Sequence, residues 1–192
     1  MKRIGIVNTK AGNITSLMAA VKRLNREPVF LETPQMLEEC DQLLIPGQGR
    51  FGSVMRALEE QKFDVALHQW REQNKPLIGI CVGFQILFES SEEDSEAKGM
   101  GWLSGHVTKL HSPKQPMVGW ASVNCNNIAP FPSGIGYYVN SYVISASSNA
   151  VGFTEYGQNF VAAVQSEQTI GIQFHPEKSS AYGMEVLDKC LV

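Results

Sequence analysis

The chain has 192 residues, 43 % hydrophobic and 18 % charged. These are the proportions of an ordinary globular protein, and a domain size of about 150 residues gives a single domain over 1–192. Sixteen Lys and Arg against nineteen Asp and Glu leave a formal charge of −3, which argues against a nucleic-acid binder and against an anionic-membrane binder.

From the amino end, Arg3 to Val7 reads as a short buried strand, ended by the polar and Gly-containing stretch from Asn8 to Asn13. No long apolar stretch or small-residue cleavage site follows the basic opening, and no run is long enough to span a bilayer; the expectation is a cytoplasmic protein. Ile14, Leu17, Met18, Val21 and Leu24 fall at helical spacing. Val29-Phe30-Leu31 and Leu43-Leu44-Ile45 read as the next strands, the latter stopped by Pro46-Gly47. A helical pattern runs in pieces from Ser53 to Trp70. Leu77-Ile78-Gly79-Ile80 is a fourth buried strand, and Val82 to Phe88 reads as helix. Strands alternating with amphipathic helices predict an α/β fold with an open, mostly parallel sheet and helices on both faces. Glu89 to Glu96 reads as a solvated acidic loop. In the second half additional, antiparallel strands are expected at Val107–Leu110, Trp120–Val123, Tyr137–Val143, Phe160–Val164 and Ile170–Phe174. A last helix is expected at about Tyr182 to Leu191.

The sharpest local pattern is Gly79-Ile80-Cys81-Val82-Gly83. A nucleophilic residue flanked by glycines between a buried strand and a helix is the arrangement of a nucleophile elbow. The Val82 amide at the helix start then points toward a developing oxyanion, and the helix start makes Cys81 more reactive than an ordinary free cysteine. A nucleophilic cysteine needs a base, and the base an orienting group. Among four histidines, His68 reads as a surface residue, and His106 and His111 have no carboxylate beside them. His175 ends an apolar strand and is followed by Pro176-Glu177. Two residues apart on an extended segment, His175 and Glu177 share one side, with Pro176 holding the segment extended. Pro46-Gly47-Gln48-Gly49, after the third strand, is a turn whose amides are placed for a second oxyanion donor. Cys40, Cys125 and Cys190 read as small buried hydrophobes. No cysteine or histidine spacing fits a metal site, and no cofactor fingerprint is present.

The elbow Gly-Ile-Cys-Val-Gly-Phe-Gln, the Pro-Gly-Gln-Gly loop and the late Gln-Phe-His-Pro-Glu-Lys-Ser resemble the class I (triad) glutamine amidotransferases, in order and separation, across nearly the whole chain. The resemblance implies that Cys81 attacks the side-chain amide of L-glutamine, that His175 takes the thiol proton and gives it to the leaving ammonia, and that Glu177 orients His175. It implies oxyanion donors at Val82 and in the Gly47-Gln48-Gly49 loop, and glutamine binding by Gln85, Ser141 and Tyr142. No cofactor or metal is implied. The length, Met117 to Trp120 and Tyr137 to Tyr142 are similar to the glutaminase subunits of imidazole glycerol phosphate synthases. That implies a heterodimer with a (βα)8-barrel cyclase, which uses the ammonia to make imidazole glycerol phosphate and AICAR in histidine biosynthesis. Trp120, Tyr137 and Lys178 match positions that face this partner. The chain departs from the subfamily at Asn140 (usually His), Ala121 (usually Asn) and Asn8-Thr9-Lys10 (usually Asp-Tyr-Gly). These departures leave open a paralogous subunit that feeds ammonia to a sugar-aminating barrel for surface polysaccharide. A stand-alone Cys hydrolase and a glutaminase-like regulatory or binding subunit are the remaining alternatives.

Overall fold

The computed structural model describes residues 1–10, 14–112 and 114–192. The end of the polar stretch after the first strand, Ala11 to Asn13, lies outside the described residues. In chain order the elements are β1 (Arg3–Val7), α1 (Thr15–Arg23), β2 (Glu27–Leu31), β3 (Gln42–Ile45), α2 (Phe51–Glu60), α3 (Phe63–Glu72), β4 (Leu77–Ile80) and α4 (Val82–Gln85). There follow β5 (Ser90–Ser91), β6 (Asp94–Lys98), β7 (His106–Lys109), β8 (Met117–Cys125), β9 (Gly134–Asn140) and β10 (Tyr142–Ile144). The chain closes with β11 (Ala150–Tyr156), β12 (Gln158–Ser166), β13 (Thr169–Ile172) and α5 (Ser180–Cys190).

Among the described residues, nine strands form one sheet in the order β2-β1-β3-β4-β13-β12-β11-β8-β9. From β2 to β13 the pairings are parallel, and from β13 to β9 they are antiparallel. The strands β3, β4 and β13 are buried at every position, as expected of parallel strands covered on both faces. Helices flank this sheet; α2 packs on α3, α4 and β6, while α1 and α5 pack on the turn at Pro176–Lys178. The buried apolar residues form one contiguous cluster. Four strands, in the order β10-β7-β5-β6, form a second, smaller sheet.

The helical pattern read in pieces from Ser53 to Trp70 is two helices, divided where Lys62 takes a left-handed conformation (φ 60°). Three other readings differ from the structure. The stretch Tyr137–Val143 is not one strand. It breaks at Ser141, and β9 pairs with β8 in the large sheet while β10 pairs with β7 in the small one. The acidic segment 89–96 is not a solvated loop but carries β5 and the start of β6. Its carboxylates accept backbone N–H groups: Gly105 donates to Glu89 at 2.9 Å, Lys109 to Glu92 at 2.8 Å and Phe51 to Glu93 at 2.8 Å. Finally, β11 was not expected. Its register shifts around Gly152 against β12, and such a bulge erases the alternation by which a strand is read.

Candidate active site

The parallel strands β3, β4 and β13 are neighbours, and the three sequence motifs follow their carboxyl ends. This is where open α/β sheets place ligands. Cys81 directly follows β4 with φ 55° and ψ −112°, a conformation rare for a residue with a side chain. Its amide is fixed by the Ile172 carbonyl of β13 at 2.8 Å. The glycines around it are required by close approach of backbone. A Cβ on Gly83 would lie 1.9 Å from the Ile45 carbonyl oxygen, and one on Gly47 would lie 2.1 Å from the Gly83 nitrogen. Gly47 therefore packs the 46–49 loop against the elbow, while Gln48 and Gly49 reach the space beside Cys81.

His175 is extended, and Pro176 begins a single 3-10 turn through Lys178, its ring suited to the first helical position. Pro176 therefore does not hold the segment extended; the turn, rather than strand alternation, brings Glu177 back to His175. The Nδ1 of His175 lies 2.9 Å from the Glu177 carboxylate, with side chains only 3 % and 5 % exposed. Burial by itself pushes the His175 imidazole down. The charge of Cys81 and its hydrogen bond to the ring, together with the Glu177 carboxylate, override that burial and raise the pKa to about 10. The Cys81 sulfur and the Glu177 carboxylate thus both favour a proton on the ring. Burial pushes the thiols of Cys40, Cys125 and Cys190 up, the last to about 12, so these three stay protonated at neutral pH.

Two cavities meet at Cys81 and Val82. One, of about 230 Å³, is lined by residues including Gly49, Gln85, Glu93, Asn140, Ser141 and Tyr142. The other, of about 170 Å³, is lined by Gln48, Gly49, Val139, His175 and Lys178. The expected glutamine-binding residues thus share the first cavity, and Lys178 stands at the second. A larger groove of about 510 Å³ lies away from these motifs, between Pro34-Gln35 and Lys62-Val65, and its lining holds no cysteine or histidine. Trp120 and Tyr137 are paired across β8 and β9 with ring centroids 5.4 Å apart. Trp120 is 52 % exposed, on a strand face that also exposes Val118, Ile135 and Val139.

Of the other histidines, His68 is exposed and accepts from the Trp102 indole at 2.9 Å, and His106 Nδ1 lies 2.5 Å from the Ser90 hydroxyl. Sequence reading missed two residues. Glu93, inside the acidic run, puts a carboxylate in the first cavity, and no local pattern marks it out from its acidic neighbours. Gln173, two positions before His175, lies with its Nε2 3.8 Å from the Cys81 sulfur. A polar residue closing a buried strand was the available signal.

The sequence matches the family described as Glutamine amidotransferase class-I over residues 6–192. It is 38 % identical to the imidazole glycerol phosphate synthase subunit HisH of Thermotoga maritima, covering 98 % of this chain and 96 % of that one. It is 37 % identical to the HisH subunit of Shouchella clausii over 97 % of this chain and 96 % of that one. For Methanocaldococcus jannaschii HisH the identity is 35 %, with 96 % of each chain covered. In three dimensions it superposes on a crystal structure of a glutamine amidotransferase with a TM-score of 0.80 at 18 % identity, covering 98 % of this chain and 99 % of that one. It superposes on a chain of PurLQS from Thermotoga maritima with a TM-score of 0.78 at 21 % identity, covering 99 % and 97 %. An elbow cysteine, a buried His–Glu pair and a match running from the first strand to the last residue leave one assignment: the chain belongs to the class-I glutamine amidotransferase family.

Proposed function

We propose that the chain is the glutaminase subunit of an imidazole glycerol phosphate synthase, hydrolysing L-glutamine to glutamate and passing the ammonia to a (βα)8-barrel cyclase in histidine biosynthesis. The observation that carries the chemistry is the buried His175–Glu177 pair, 2.9 Å apart, beside the Cys81 sulfur where two cavities share Cys81 and Val82. The relatives named as HisH subunits favour this pathway over a sugar-aminating partner.

The path of the proton follows from the buried His175–Glu177 pair beside Cys81. His175 takes the proton of the Cys81 thiol, so the sulfur attacks the side-chain carbonyl carbon of glutamine as an anion. The carbonyl electron pair moves to oxygen, where the Val82 amide and an amide of Gln48-Gly49 receive it. As the carbon–nitrogen bond breaks, His175 gives its proton to the nitrogen and ammonia leaves, with the glutamyl group on sulfur. Water then attacks the thioester, His175 takes its proton, glutamate departs and the sulfur anion returns. Glu177 holds the ring in place throughout. In the 230 Å³ cavity, Gln85, Ser141 and Tyr142 surround the amino acid and the Glu93 carboxylate receives its ammonium group. Ammonia leaves through the second cavity, past Lys178.

The test is glutamate release from glutamine, with the barrel cyclase and its acceptor ligand present. Cys81→Ala is expected to lose activity by at least about three orders of magnitude while keeping its fold. Full activity in that variant would sink the mechanism.

A further inference from the structure

Two glutamine side chains lie buried between the first cavity and the Cys81 sulfur, and their hydrogen bonds have a direction. The Gln85 Nε2 donates to the Tyr142 carbonyl at 2.9 Å and to the Gln173 Oε1 at 3.0 Å. A backbone carbonyl only accepts, so Tyr142 decides which end of the Gln85 amide is nitrogen. Both hydrogens of that nitrogen are used, and the Gln85 Oε1 is left for the cavity that this side chain lines. The polarity then passes on. Gln173 turns its oxygen to Gln85, so its own nitrogen faces the Cys81 sulfur at 3.8 Å. Gln173 is 0 % exposed, and its backbone amide is pinned to the Ala162 carbonyl at 2.9 Å just beyond β13. Its plain alternative is a satisfied core glutamine. Burying an amide is costly, however, where an unbranched apolar side chain of similar size fits the same space.

We propose that Gln173 is a positioning residue of the glutaminase site. Together with the Tyr142 carbonyl it holds Gln85 with its acceptor turned to bound glutamine, and through its own Nε2 it stabilises negative charge on the Cys81 sulfur. The inference rests on Cys81 being the glutaminase nucleophile.

The test uses the full chain and two readouts: glutamine protection of Cys81 against iodoacetamide, which gives affinity, and the unprotected alkylation rate at neutral pH, which gives sulfur reactivity. Gln173→Met removes both ends of the amide. It is expected to weaken glutamine protection roughly tenfold and slow alkylation roughly fivefold. Gln173→Glu keeps oxygen toward Gln85 but sets like charge against the sulfur. It is expected to bind glutamine within about threefold of the parent chain and yet alkylate slowest of all. Adding Gln173→Met to Gln85→Met is expected to cost no more than about twofold further in affinity, because both act on one contact. A packing role predicts parallel losses in both readouts for Met and Glu, or independent effects that multiply in the double variant, and either result overturns the proposal. If Gln173→Met does not fold, Gln173→Asn replaces it: the shorter amide reaches neither neighbour and is expected to lose both readouts while Gln173→Glu loses one. Hydrolysis surviving in Cys81→Ala overturns the reading of Cys81 as the nucleophile and this inference together. Loss of both readouts in Gln173→Glu as well as in Gln173→Met, with hydrolysis still dependent on Cys81, overturns this inference alone.

Discussion

Cys81 occupies φ 55° and ψ −112°, and that geometry has an energetic consequence separate from chemistry. A side chain held in such a region costs about 1–3 kcal/mol, which the fold offsets through the surrounding core and the Ile172 hydrogen bond. Alanine at this position keeps the strain and glycine relieves it. Glycine also frees the unfolded chain by about 0.4–1 kcal/mol, so the net gain of glycine over alanine is about 1 kcal/mol. Cys81→Gly is therefore expected to melt about 2–4 °C above Cys81→Ala, with both inactive. Equal melting temperatures would mean that the strain is no larger than about 0.4–1 kcal/mol, the amount that glycine costs through the unfolded chain. The elbow was legible because its requirement is local: glycines at 79 and 83 flank one cysteine between an apolar run and a helix. His175 and Glu177 were legible for a similar reason. Gln173 was visible in the sequence but had no reading, because its role depends on Gln85 and Cys81, 88 and 92 residues away along the chain.

At the scale of elements, the buried parallel strands were readable as short apolar runs, and what eluded sequence was the destination of polar groups. The acidic segment illustrates this. Charge counting assigns Glu93 to water, yet its side chain is 16 % exposed and receives the Phe51 amide at the start of α2. A helix start has unpaired amides and favours an acceptor there. The same carboxylate lines the 230 Å³ cavity, so one side chain caps a helix and faces the ligand space. Its two duties can be separated. Glu93→Gln keeps an oxygen for Phe51 but loses the charge proposed to receive the substrate's ammonium group. Its glutamine KM is expected to rise roughly tenfold or more with little change in melting temperature. Glu93→Ala loses the cap as well and is expected to cost about 1 kcal/mol of stability in addition. An unchanged KM in Glu93→Gln would remove this residue from substrate recognition. The switch of sheets at Ser141 was illegible for a related reason. A continuous β-rich run from Tyr137 to Val143 carries no local mark of where its hydrogen bonds change partner, and that change sets Ser141 and Tyr142 at the cavity wall.

For the whole molecule, the two halves of the large sheet divide the work. The parallel half supplies the elbow and the His–Glu segment, and the antiparallel half ends in the β8–β9 hairpin. That hairpin exposes Val118, Trp120, Ile135 and Val139 on one face, which register places opposite or beside one another. Val139 also lines the second cavity with Lys178, so the apolar face adjoins the cavity proposed as the ammonia exit. Ammonia released into water is protonated and lost as a nucleophile, which makes cover over that exit a chemical requirement of transfer. Exposed aromatic and aliphatic side chains beside it are the surface a partner would desolvate. Trp120 is the bulkiest of them, and it stands free of the core, so its replacement separates docking from folding. Trp120→Asp is expected to weaken association with the barrel cyclase by roughly two orders of magnitude, read by sedimentation or titration calorimetry. Its melting temperature as an isolated chain should stay within about 2 °C of the parent. Glutamate production should then become uncoupled from product formation by the cyclase. Association unchanged in Trp120→Asp would place the partner on another face and remove the cavity at Lys178 as the ammonia exit.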